Sequence, residues 1–218
     1  MFEGRGVDCW RGGRAVFGAL GFALSEGDGL ALKGPNGSGK SSLLRIMAGL
    51  LQPAGGMVFW RSRPIARDPG KHADNLCYVG HSNGVKPLLT TEENLRFWAA
   101  LHHRGPALEH AVRKGLGVFG LSPLAGLSAR LLSAGQRRRL CLARLLTTGA
   151  PLWLLDEPAA ALDEKSAQLL ETIIAAHRAR GGIVVLASHG ERFPADWKEL
   201  VMDDFPALPT RNPAALWL

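Results

Sequence analysis

Residues 34–41 read Gly-Pro-Asn-Gly-Ser-Gly-Lys-Ser, and this run limits the possible folds more than any other stretch of the chain. It fits the Gly-x-x-x-x-Gly-Lys-Ser pattern of a phosphate-binding loop. The apolar stretch at 29–33 predicts a short strand before it, and residues 42–50 predict a helix after it. Gly34, Gly37 and Gly39 allow backbone conformations that a Cβ would penalise, turning several N–H groups toward one point. The helix opening near Lys40 adds unpaired N–H groups and the positive end of its dipole. Lys40 can reach the β- and γ-phosphates, and the Ser41 hydroxyl is placed to ligate Mg2+. Pro35, Asn36, Ser38 and Ser42 complete the cradle. A nucleoside triphosphate site is the first expectation.

The rest of the composition bounds the chain. A length of 218 residues suits one well-buried domain spanning 1–218 and is too short for two full enzyme domains. No apolar run approaches the roughly 18 residues of a membrane span, and the first residues lack the basic-then-apolar order of a secretion signal. The chain is therefore expected to remain in the cytoplasm. Cys9, Cys77 and Cys141 lie far apart with no Cys-x-x-Cys pair, which argues for buried thiols over a compact metal site. The formal net charge of +7 allows attraction to anionic lipid, nucleic acid or nucleotide. Its densest run, Arg137-Arg138-Arg139, falls inside a second motif, and no nucleic-acid partner is expected.

Short apolar stretches over 6–32, broken by Gly12-Gly13 and by residues 26–29, predict strands joined by tight turns ahead of the phosphate loop. Further strands fit 56–60 and 76–79. Helices fit 92–101, 107–116 and 135–147, so a largely helical segment lies between about 88 and 149. Buried-strand character returns at 151–155 and 183–186, with a long amphipathic helix at 164–180 between them. This alternation predicts an α/β core with a mainly parallel sheet. Its ligands would collect beyond the carboxyl ends of the strands, where Gly34, Asp156 and His189 would meet. The Pro-rich stretch after 191 reads as irregular packing or a short helix near 196–202.

The strand at 151–155 runs into Asp156 and Glu157. Asp156 is placed to hold Mg2+, directly or through water, and Glu157 to orient or deprotonate water at the γ-phosphate. His189, after the last buried strand, could hydrogen-bond the terminal phosphate and sense its presence. In Leu132-Ser133-Ala134-Gly135-Gln136, Ser133 can cap a helix while Gly135 leaves its first turn open to a phosphate. A second anion-receiving helix end is superfluous unless it serves another subunit's nucleotide.

In this order the motifs resemble those of the ATP-binding-cassette ATPases. The resemblance implies a phosphate-loop cassette fold: a parallel core sheet, a small N-terminal antiparallel β portion and an inserted helical signature subdomain. It also implies ATP and Mg2+ as cofactors and a head-to-tail dimer of two copies. Ser133, Gly135 and Gln136 then belong to the signature that closes over the other copy's nucleotide. Asp156 and Glu157 are the magnesium aspartate and catalytic glutamate, Asp163 lies in the loop that communicates across the dimer, and His189 is the switch histidine. His81 stands where the family carries a glutamine, so its contact with the metal is left open. Trp10 is the expected stacking partner of the adenine, with Arg11 as the alternative.

Gly80-His81, Gly84-Val85-Lys86 and Glu92-Glu93-Asn94-Leu95 further resemble the ATP-binding subunits of haem exporters of cytochrome c biogenesis. That likeness implies a motor on the cytoplasmic face of the membrane, bound to integral permease subunits through the 80–95 loop and the adjacent helical lobe. The chain departs from it at Ala159, where a bulky residue is usual, and at Gly190-Glu191. Another small-substrate transporter, or a soluble cassette acting on nucleic acid or the ribosome, are the competing readings.

Overall fold

The computed structural model describes residues 1–188 and 193–207. Strands β1 (Phe2–Arg11) and β2 (Arg14–Leu24) form an antiparallel hairpin. β3 (Gly29–Lys33) leads through the phosphate loop into helix α1 (Lys40–Met47). β4 (Gly55–Trp60) returns to pair with β1, and the two-residue β5 (Arg63–Pro64) completes a four-stranded antiparallel sheet in the order β2-β1-β4-β5. A short helix α2 (Pro69–Ala73) precedes β6 (Leu76–Val79). Three helices follow, α3 (Thr91–Ala99), α4 (Gly105–Val118) and α5 (Ala134–Ala143). The chain then alternates through β7 (Leu152–Asp156), α6 (Glu164–Ala179), β8 (Ile183–Ala187) and β9 (Lys198–Val201). The second sheet has the order β6-β7-β8-β3-β9, with every pairing parallel.

The parallel sheet is buried on both faces, which is why its strands read as continuous apolar runs. Alternate residues supply two separate cores. Leu30, Leu32, Leu152, Leu154, Ile183 and Val185 pack with Leu43, Leu44 and Met47 of α1 and with the antiparallel sheet. Ala31, Trp153, Leu155, Val184 and Leu186 pack against Leu170 and Ile174 of α6 and the helical segment. α3 and α5 each begin with a capping box, Thr90 with Glu93 and Ser133 with Gln136, which satisfies the N-cap and N3 N–H groups of each.

Two expectations are corrected. The segment near 196–202 is a strand: β9 adds a parallel edge to β3. It is only four residues long and exposes Lys198 and Glu199, so its period-2 signal is faint. Trp197, just before it, lies where a Cβ on Gly29 would meet its ring at 2.5 Å, so the tail closes on a position left bare for it. The helix expected at 135–147 is α-helical only to Ala143 and tightens into a 3-10 turn over Arg144–Leu146.

Trp153 of β7 and His177 of α6 stack at 3.7 Å between ring centroids with planes 5° apart, fastening α6 to the sheet. Burial pushes the His177 pKa down from its ordinary 6.5 to about 4. The imidazole is thus neutral in the fold, while the unfolded chain takes up a proton below pH 6.5. Its contribution is present above pH 6.5 and lost as the pH falls toward 4, with a limiting slope of about 1.4 kcal/mol per pH unit. Urea unfolding across this range is expected to show a stability slope in the parent protein that is steeper, by up to about that amount, than in His177→Phe, which keeps an aromatic ring in the stack.

Candidate functional site

The register brings the strand ends level. Asp156 pairs with Ala187 on β8, and Ala187 with Leu32 on β3. The phosphate loop therefore leaves β3 beside the end of β8 and two strands from the acids of β7. Within the loop Gly34, Gly37 and Gly39 have φ of 145°, 84° and 105°, all in the region that penalises a Cβ. A Cβ at Gly39 would stand 2.8 Å from Phe17 Cδ1 and Val16 Cγ1, so β2 packs directly on the loop.

Lys40 is buried, 6% exposed. Its ammonium donates to the carbonyls of Gly34 and Pro35 at 2.6 and 2.9 Å, drawing the side chain back over the loop. Burial lowers its pKa, and Glu157, Asp156 and Asp203 oppose that shift. Ser38 turns on the Pro35 carbonyl through its N–H, and its hydroxyl is buried with no hydrogen-bond partner. Asn36, Gly37, Gly39, Lys40, Ser41 and Ser42 line one side of an open cleft of about 690 Å³. Arg11, Arg14, Val16 and Glu157 line the rest.

Trp10 is not among these residues. It lines instead a small pocket with Asp8, Cys9 and Phe17, next to the break in the β1–β2 register between Cys9 and Trp10. Of the two residues expected to stack on adenine, Arg11 lines the cleft and Trp10 does not.

Ser41 Oγ donates to Asp156 Oδ1 at 3.1 Å. Asp156 is 3% exposed, and its Oδ2 is buried without a hydrogen-bond donor. A hydroxyl beside a carboxylate with an unsatisfied oxygen is a hard-oxygen donor set that fits a magnesium ion. Glu157 follows in a left-handed conformation, φ +48°, with its N–H donated to the Ala187 carbonyl at 2.8 Å. The strand thus stops at Asp156, and the next residue faces the cleft.

The signature residues lie elsewhere. Ser133 and Gln136 close their capping box through bonds of 2.8 and 3.2 Å at the start of α5. A Cβ at Gly135 would lie 3.1 Å from the Ala161 carbonyl, so this helix end abuts the loop that leads to Asp163. Asp163 caps α6 by accepting the Ser166 N–H at 2.8 Å, and the hydrogen bonds of Ser166 hold its carboxyl below the usual range. Ser133, Gly135, Gln136 and Asp163 do not line the cleft of their own phosphate loop. His81 is exposed in the loop after β6 and does not line it either. His189 lies outside the described residues.

The roles of two buried polar residues escaped sequence reasoning. Arg138, 3% exposed, extends its guanidinium behind Asp156 and Glu157. In the sequence it is the middle of three arginines, with nothing to single it out. Asn94 is also buried, and its amide holds the loop ahead of α3. It accepts the Lys86 N–H at 2.7 Å and donates to the Lys86, Leu89 and Thr90 carbonyls at 2.9, 3.3 and 2.9 Å. The loop so fixed displays Leu88, which is 86% exposed.

Level strand ends with a phosphate loop on one and adjacent acids on another are the architecture of a phosphate-loop nucleoside triphosphatase. The family model described as ABC transporter matches residues 17–160. The cytochrome c biogenesis ATP-binding export protein CcmA of Paramagnetospirillum magneticum is 51% identical over 205 residues, covering 94% of this chain and 94% of that protein. Its counterpart in Rhodospirillum rubrum is 48% identical over 211 residues, covering 97% and 89%. Among solved structures, a dimeric bacterial ABC transporter cassette superposes with a TM-score of 0.79 at 25% identity, covering 87% of this chain and 88% of that one. A putative ABC transporter ATP-binding protein from Pyrococcus furiosus shares the fold with a TM-score of 0.79 at 22% identity, covering 94% and 98%. The chain belongs to the ABC transporter family as an ATP-hydrolysing cassette, and within it to the group of cytochrome c biogenesis ATP-binding export proteins. Use of ATP and Mg2+ comes with that membership.

Gly39→Ala adds a Cβ to a left-handed position already in contact with Phe17 and Val16. Strain of this kind, together with the clash, is expected to weaken ATP binding about tenfold or more, as read by nucleotide titration, while circular dichroism keeps the parent's secondary structure.

Proposed function

We propose that this chain is the ATP-hydrolysing motor of a membrane complex that handles haem during cytochrome c biogenesis. The observation that carries the motor is the Ser41–Asp156 contact at the mouth of the sheet, with Lys40 and Glu157 on the same cleft. Near-full-length relatives at 51% and 48% identity support the cytochrome c assignment.

In this reading Lys40 exchanges the Gly34 and Pro35 carbonyls for the β- and γ-phosphate oxygens, and the loop N–H groups, with Asn36 and Ser42 beside them, enclose the phosphate chain. Arg11 lies against the base. Ser41 and Asp156 would hold Mg2+, which would supply neutralisation of the phosphate charge. Glu157, aimed by its left-handed backbone, orients the attacking water and accepts its proton. His189 reads the terminal phosphate. A second copy, facing head to tail, brings Ser133, Gly135, Gln136 and the start of its α5 to the same γ-phosphate. Asp163 meets its counterpart loop across the interface. Closure is then linked to nucleotide occupancy, because only the ATP-loaded pair completes both sites, and hydrolysis reverses the linkage.

No helix among the described residues is long and apolar enough to cross a membrane. In the proposed complex the motor lies on the cytoplasmic face of the membrane and docks on integral permease subunits, as the relatives described as ATP-binding export proteins support. Leu88 on the loop fixed by Asn94 is the anchor for that contact, with Leu131 and Phe97 also exposed, at 61% and 44%. ATP-driven closure would either move haem or release it from a membrane-bound haem carrier.

Glu157→Gln is expected to lower ATP turnover about 100-fold or more while ATP binding persists. Turnover at the parent rate would remove Glu157 from this role. Leu88→Glu is expected to abolish copurification with the membrane subunits and to leave nucleotide binding unchanged. Retention of the full complex by that variant would rule out the loop as the docking element.

A further inference from the structure

We propose that Arg138 is a positioning residue that holds Glu157 in its working conformation and ties it to both the signature end of α5 and the loop of His81. The inference rests on the reading of Glu157 as the residue that activates water.

The guanidinium makes five hydrogen bonds, all to uncharged acceptors. Nε donates to the Pro158 carbonyl at 3.0 Å, and Nη2 to the carbonyls of Asp156 and Glu157 at 3.2 and 2.6 Å. Nη1 donates to the Gly80 carbonyl at 3.2 Å and to Asn83 Oδ1 at 3.0 Å. Three consecutive carbonyls, 156 to 158, thus converge on one planar group. A continuing strand would send successive carbonyls to opposite sides, so this convergence requires the backbone to leave the strand at Glu157, where φ is +48°. A non-glycine residue in that region persists only when its surroundings hold it there. A buried guanidinium in turn persists only when its donors are bonded. Arginine and turn each supply what the other lacks, and the product is the orientation of the Glu157 side chain at the cleft.

The same group spans three elements. Arg138 lies about one and a half helical turns from Ser133, so a shift of α5 when its start meets a second copy moves the guanidinium. The Gly80 and Asn83 contacts connect it to the loop on either side of His81. Its neighbours in the basic run are committed elsewhere: Arg137 bonds the Leu132 carbonyl, and Arg139 bonds the Phe119 carbonyl at 3.1 Å. Nucleotide contact at α5 and movement of the 80–83 loop therefore both bear on the peptide that aims the acid. The phosphate loop, which binds ATP, makes none of these contacts.

The test is steady-state ATP hydrolysis and nucleotide affinity of the full chain with Arg138→Lys, with Glu157→Gln, and with both. Lysine keeps the charge but loses the planar fork. Arg138→Lys is expected to lower kcat about 10- to 100-fold with ATP affinity within about 2-fold of the parent. In the Glu157→Gln background it is expected to change the residual rate by less than about 2-fold, since no acid remains to be aimed. Asn83→Ala, which removes one of the five contacts and keeps the arginine, is expected to lower kcat about 3-fold with affinity unchanged, and it retains the test if Arg138→Lys does not fold. Arg138→Lys at the parent rate, or equal losses in both backgrounds, overturns the inference. So does unchanged kcat in Asn83→Ala if the lysine variant is not folded. Glu157→Gln at the parent rate instead overturns the underlying role of Glu157, a result distinguishable from the others because it does not involve Arg138.

Discussion

The parallel pairing of β7, β8 and β3 is the constraint on which the rest of this molecule depends. Parallel strands share a direction, so their carboxyl ends open on the same side. The register sets Asp156, Ala187 and Leu32 level there. Residues more than a hundred positions apart, Ser41 and Asp156, consequently meet at 3.1 Å. Burial of both sheet faces holds that register. Slipping a strand by one residue would exchange its contributions to the two cores, placing Trp153 where Leu154 belongs.

Around this opening the chain holds cations against uncharged oxygens. Lys40 rests on the Gly34 and Pro35 carbonyls, and Arg138 on carbonyls of residues 80 and 156 to 158 together with the Asn83 amide. Charge-assisted bonds of this kind offset the cost of burying both cations. The acids stay oriented toward the cleft. The two cations differ in consequence. Lys40 sits on an open cleft, where phosphate oxygens can replace its carbonyl partners, whereas Arg138 is enclosed and bonded in three directions, as befits a fixed support.

In the proposed dimer the nucleotide site of one chain is a half. The start of α5 has its first-turn donors partly satisfied by its own capping box, and its residues do not line the cleft formed by the same chain. Its contact with the loop that leads to Asp163 places it among the elements through which two copies would sense each other. On the opposite flank, Asn94 fixes a loop that presents Leu88 to solvent. Arg138 lies between the nucleotide end of α5 and the loop after β6, so the motor's two expected contacts converge on its acid.

The sequence by itself determined whatever depends on neighbouring residues. The phosphate loop is legible because its glycines, lysine and serine act within eight positions, and the strand ending in Asp156-Glu157 is legible because burial writes an unbroken apolar run. The capping of α5 by Ser133 is equally local. Tertiary structure decided what depends on which way a side chain faces and what lies opposite it. At the end of β1, where the register with β2 breaks between Cys9 and Trp10, Arg11 lines the cleft and Trp10 a separate small pocket. Strand β9 exists through its pairing with β3, since four residues with two exposed carry too little pattern of their own. Arg138 is one arginine of three until the fold sets three carbonyls and a loop around it, because hydrogen bonds to backbone leave no trace in the identity of the residues that accept them.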